Sequence, residues 1–169
     1  MTLKKQIKQN LEIALKGKKR VEVSTLRMLN AAILNKEKEK RYKISKEKPE
    51  LKPEKLEEES QLIDEEIIQV LQSEIKKRKE AILEFEKGER QDLVNKEKAE
   101  MDILQKYMPE QLSEEEIKKI VKTAIEKVGA KEPRDMGKVM GELMPKVKGR
   151  ADGGIVSRIV KELLVSKED

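Results

Sequence analysis

Apolar positions recur along most of this chain at intervals of three and four, the period of helices that bury one face. Leu3, Ile7, Leu11, Ala14 and Leu15 make a narrow first stripe after Thr2, an N-cap residue type, and Gly17 supplies a stop. A second helix is predicted from about Val21 to about Arg41, with Leu26, Leu29, Ala32 and Ile33 inward and a charged KEKEKR tail in solvent. Arg27 and Asn30, beside that stripe, read as an ordinary helix flank. Tyr42–Pro53 holds two prolines among alternating charges and is expected to be an exposed connection. Beyond it Leu56, Ile63, Ile67, Leu71, Ile75, Ile82 and Phe85 keep a period near that of heptads as far as Gly88. That predicts a third helix of roughly 45 Å, long enough to pair with a second copy. Leu93, Val94, Met101, Leu104 and Met108 predict a fourth, ended by Pro109.

The clearest boundary follows. Ser113 and Glu116 have the spacing of a capping box, with Leu112 placed to staple onto Ile117. Ile117, Ile120, Val121, Ala124, Ile125 and Val128 then form one stripe, and Gly129 is placed to end it in a left-handed turn. A short helix is predicted over Pro133–Met144, with Met136, Val139, Met140, Leu143 and Met144 inward and Pro145 as its stop. Gly137 and Gly141 share a face where another backbone is expected to approach. Asp152 is a candidate N-cap for the last helix, whose inward residues are Ile155, Val156, Ile159, Val160, Leu163 and Leu164. The expected fold is all-α, a long-helix bundle or hairpin over residues 1–110 and a small three-helix domain over 111–169.

Composition narrows what such a fold can do. With 36% apolar and 43% charged residues among 169, a thick globular core is not expected. Cysteine and histidine are both absent, which removes disulfides, thiolate or imidazole metal sites, and Cys–His or Ser–His nucleophilic pairs. Tyr42, Phe85 and Tyr107 are the three aromatics, too few for the stacking platforms of single-strand binders. No apolar run reaches the roughly 20 residues of a membrane span, so a cytoplasmic protein without a membrane partner is expected. The Lys- and Glu-rich, cysteine-free composition is that of hot-growing organisms.

Charge is unevenly placed. Residues 1–48 carry fifteen Lys/Arg against five acids, a net of +10, and residues 49–128 carry fifteen against twenty-two, a net of −7. The remaining stretch, 129–169, has nine against seven. Within it, Lys146-Val147-Lys148-Gly149-Arg150 holds three cations in five residues and precedes the amino end of the final helix. Lys146, Lys148 and Arg150, with Gly149 and free helix amides, are candidates to meet a phosphate; the alternative is an ordinary solvated loop. Lys138, Arg158 and Lys161 extend the candidate surface, and Lys138 to Lys161 spans six cations and two acids, a net of +4.

Here the sequence also resembles a known family. DMGKVMG, LMPKVKGRADG and the closing apolar helix look like the C-terminal module of YqeY-like proteins, itself similar to the tail of the B subunit of tRNA-dependent amidotransferases. STLRMLNAAILNKE at Ser24–Glu37, EIKKRKEAILEFEKGERQDLVNKEKAEMDIL at Glu74–Leu104 and YMPEQLSEEEI at Tyr107–Ile117 carry the likeness over nearly the whole chain. It departs at about residues 41–60, which look longer than the short turn expected there. The resemblance implies a tRNA-binding accessory module that partners an amidotransferase or another tRNA-handling protein. It also implies an association with carbon–nitrogen ligase activity using glutamine as amide donor. No Gly-rich phosphate cradle or Ser-rich amidase segment accompanies it, so no catalytic residue, metal or cofactor is assigned. Two other readings stay open: a component of an amide-transferring complex, and a helix-turn-helix DNA binder using Arg134 and Lys138.

Overall fold

Helix ends decide this structure as much as helix faces do. The computed structural model describes residues 1–165, and among them it contains eight α-helices and no strand. The chain divides into two compact units, Met1–Met108 and Pro109–Asp169.

The first unit holds α1 (Leu3–Lys16), α2 (Arg20–Glu47), α3 (Pro53–Ser60), α4 (Asp64–Lys87) and α5 (Gln91–Gln105). Thr2 caps α1, its hydroxyl accepting from the Lys5 amide at 3.4 Å. Gly17 does not take the left-handed turn at the far end; Lys18 does, with φ 52°. The Lys19 amide then reaches back to the Ala14 carbonyl at 3.0 Å, which closes a Schellman-type end. The same device ends α4, where Glu89 has φ 55° and the Arg90 amide bonds Phe85 O at 2.9 Å. Packing of Ile7, Leu26, Leu29, Ile33, Ile67, Leu71 and Leu104 forms the centre of this unit.

Two expectations fail here. α2 runs on through residues 42–47, because the first proline stands beyond them, and Lys48 before Pro49 is where α2 stops. Its tail is not wholly solvated either. Glu37 faces inward, accepting from Lys4 Nζ at 2.5 Å and from the Leu62 amide at 3.1 Å. Lys40 donates to Gln61 O at 3.0 Å and to Glu66 at 2.8 Å.

Those bonds satisfy a break in the expected long third helix. Gln61, Leu62 and Ile63 leave the helical conformation, so α3 and α4 are separate. α4 spans about 36 Å at the usual rise, which removes the surplus length. Ile63, counted in the seam, is 59% exposed and precedes an acidic first turn of Asp64, Glu65 and Glu66 that suits a helix amino end. The buried face of α4 also includes Arg78, 4% exposed. Its Nε and Nη2 donate to Glu100 of α5 at 3.2 and 3.0 Å, and Nη1 donates to Glu74 O and Oε2 at 3.1 Å each.

The second unit holds α6 (Glu114–Val128), a 3₁₀ turn (Pro133–Asp135), α7 (Met136–Val147) and α8 (Gly153–Val165). Its capping box is formed as expected, with Ser113 Oγ accepting from the Glu116 amide at 3.3 Å and Glu116 from the Ser113 amide at 2.8 Å. Gly129 is left-handed, φ 66°. Val121, Ala124, Val139, Leu143, Val156, Val160 and Leu164 are buried in a purely apolar core.

α7 begins and ends three residues later than expected. Pro145 lies inside it, and the Lys148 amide still bonds Met144 O at 3.0 Å. The carbonyl that the proline ring opposes is that of Gly141, a backbone with room to yield. Gly137 and Gly141 approach nothing: a Cβ on either would meet no atom within 4 Å. Each precedes a buried residue, Val139 or Leu143, by two positions, which on a helix is the opposite side.

Candidate nucleic-acid interface on the α7–α8 turn

Burial alternates through the turn. Val147, Gly149 and Ala151 are buried, while Lys148 and Arg150 between them are exposed. Gly149 permits this with φ 79°, and the Arg150 and Ala151 amides both return to Val147 O, at 2.9 and 3.0 Å. The segment before α6 holds the turn from outside. Gln111 Nε2 donates to Gly149 O at 2.9 Å and to Pro109 O at 2.7 Å, and the Leu112 amide donates to Arg150 O at 2.7 Å. Arg150 Nε donates to Glu110 O at 3.3 Å. The two outward cations therefore stand on a fixed backbone.

Asp152 caps α8 as expected, accepting from the amides of Gly154 at 2.8 Å and Ile155 at 3.2 Å. That narrows the expectation of free amides at this helix end, because the carboxylate already occupies those of Gly154 and Ile155. Convergence on an anion here is a matter of side chains.

The predicted cations differ in their company. Lys146 bonds Glu142 at 2.9 Å, and Glu142 also accepts from Lys127 of α6 at 2.8 Å. Those two bonds, Lys127 first, hold the Glu142 carboxyl below the usual carboxylate range. Lys138 bonds Asp135 at 2.9 Å, and that bond, with the Lys131 amide behind it, lowers the Asp135 carboxyl likewise. Arg158 reaches Glu114 at 2.8 Å and Glu162 at 3.8 Å. Lys148 and Lys161 have no carboxylate within ion-pair distance among the described residues.

Lys146, Lys148, Gly149 and Arg150 thus lie together on the turn. Lys138 stands about 12 Å back along α7, at its opposite end. Arg158 and Lys161 occupy the body of α8, Arg158 facing the start of α6. Sequence reasoning missed Gln111 and Lys127, whose partners Gly149 and Glu142 lie 38 and 15 residues away.

The chain, all-α in its described residues, falls within a recognised family. The chain is a member of the YqeY-like protein family, whose model matches residues 36–164. It is 32% identical over 166 residues to the Altered inheritance of mitochondria protein 41, mitochondrial, of Pyrenophora tritici-repentis (strain Pt-1C-BFP), covering 96% of this chain and 81% of that relative. A protein of Schizosaccharomyces pombe described as uncharacterized is 44% identical over 50 residues, 30% of this chain and 41% of that one. No helix among the described residues is long and apolar enough to cross a membrane.

Proposed function

We propose that this protein is a tRNA-binding accessory module, probed first at the α7–α8 turn, which meets the phosphates of structured RNA. One observation carries the reading: Lys148 and Arg150 are both exposed on a backbone fixed by Gln111 and Leu112, and Lys148 has no carboxylate partner among the described residues. Ion pairs as exposed as those of Lys138, Lys146 and Arg158 are weak and screened by salt, so a phosphate exchanges for the carboxylate at little cost. The choice of tRNA rests on the likeness of this module to the amidotransferase B-subunit tail, and the same likeness makes an amidotransferase or another tRNA-handling protein the partner to seek.

Binding of labelled tRNA by anisotropy across a salt series tests it. Replacing Lys146, Lys148 and Arg150 with Ala is expected to lower the slope of log K against log salt by about three, one for each phosphate contact. An unchanged slope overturns the assignment to this turn. Release of ammonia from glutamine by the pure chain would instead favour an amide-transferring component.

A further inference from the structure

α2 carries eight cations and four acids, and five of the cations are set apart from the acids around its circumference. At the helical repeat, Arg20, Arg27, Lys38, Arg41 and Lys46 fall within an arc of about 140°, and Glu22, Glu37, Glu39 and Glu47 all fall outside it. Long charged helices ordinarily alternate sign along a face; this face has none of its own acids over its whole length. All five cations are exposed. Arg41 has one distant contact, to Glu57 at 4.0 Å, and Lys46 lies over the Tyr42 ring at 5.5 Å. Arg20, Arg27 and Lys38 have no carboxylate partner among the described residues. The acids meanwhile are engaged elsewhere, Glu37 with Lys4 and the Leu62 amide, Glu22 with Lys19 and Glu39 with Lys36.

From Arg20 to Lys46 the row is about 39 Å long, close to one turn of a double helix. Between the cations lie exposed Ser24, Ala31, Asn35 and Tyr42, small or polar residues that let a backbone come near. A single exposed aromatic offers no ladder for unpaired bases. Met28 and Leu34 are the exposed large apolar residues on the arc and stand about 120° apart around the helix, short of the continuous apolar face by which a helix lies in a membrane.

We propose that this outward face of α2 is a second nucleic-acid surface, independent of the α7–α8 turn, that takes the phosphate backbone of a duplex. A base-paired RNA stem and duplex DNA share that chemistry, and the test separates them. The full chain is titrated, over a salt series, into labelled tRNA, a 20-base-pair DNA duplex, an unstructured 20-nucleotide oligouridylate and anionic phosphatidylserine vesicles. Three triple variants are compared: Arg20→Ala/Arg27→Ala/Lys38→Ala on the face, Lys146→Ala/Lys148→Ala/Arg150→Ala on the turn, and Lys55→Ala/Lys79→Ala/Lys96→Ala as a control of equal charge. Circular dichroism confirms that each retains its helices.

The face variant is expected to lose about three units of salt slope and at least tenfold in affinity near 0.15 M salt on tRNA, duplex DNA or both, with the control within twofold of the parent. A face variant that matches the control on both duplex ligands overturns the inference. So does an equal loss on oligouridylate, or binding to vesicles alone. Loss in the face variant with a silent turn variant upholds this surface and sinks the turn, the converse does the reverse, and a parent chain that binds no nucleic acid sinks both.

Discussion

The two units solve one problem in different ways. Each must fix the register of helices that carry few large apolar residues. The three short helices of Pro109–Asp169 do so with an apolar core and well-made ends: a capping box at Ser113, a left-handed Gly129 and a carboxylate cap at Asp152. The longer helices of Met1–Met108 do so with polar pins placed inside: Arg78 between Glu74 and Glu100, and Glu37 and Lys40 holding the break at residues 61–63. A two-sided hydrogen-bonded charge can specify one register where a sliding apolar seam accepts several. The first unit thus adds buried charge to its apolar core, where the second relies on its apolar core and caps.

The largest test removes a pin. Arg78→Ala leaves Glu100 buried without its partner and is expected to cost about 3–5 kcal/mol in urea unfolding. Replacing both members, as in Arg78→Met with Glu100→Leu, should restore most of that loss, since the pair itself contributes specificity more than stability. Were the single and double variants equally weak, the division between pinned and packed units would be wrong.

Acid gives a smaller and gradual version. Burial pushes the Glu74 carboxyl up, but bonds from Lys77 and Arg78 together outweigh it and hold the group below its ordinary value of 4.5. A carboxyl whose folded value is depressed stabilises the fold fully above its unfolded value, and that contribution is lost as pH falls through the lower folded one. Thermal unfolding between pH 6 and 3 should therefore show a fall below about pH 4.5 that is shallower in Glu74→Gln. Parallel curves for the two proteins would show that Glu74 is no pin.

The smallest effect concerns helix ends. Lys18 and Glu89 occupy left-handed backbone although glycine stands one position earlier in each case. Lys18→Gly or Glu89→Gly should each raise stability by up to about 1 kcal/mol, read as a higher melting temperature, because a Cβ is disfavoured there. A loss instead would mean that these side chains carry contacts worth more than the strain.

The same contrast explains what the sequence disclosed. Caps are local, so Ser113 with Glu116, Gly129 and Asp152 were legible at spacings of two to four. Pins join distant positions, and nothing around Arg78, Glu37 or Lys40 marks them apart from other members of charge runs. The break at residues 61–63 hid behind Ile63, an apolar residue at the right period that points to solvent. Prolines misled twice in the same direction, at residues 42–47, where the helix continues, and at Pro145, which lies within one. At the candidate site the cations could be read off directly; their neutralising partners, such as Glu114 for Arg158 across 44 residues, could not.

The strict in-and-out order of Val147 to Ala151 has a corollary. Val147, Gly149 and Ala151 face inward, whereas the outward Lys148 makes no side-chain bond to the segment that holds the turn among the described residues. Lys148 can therefore be exchanged for another side chain without disturbing the scaffold beneath it.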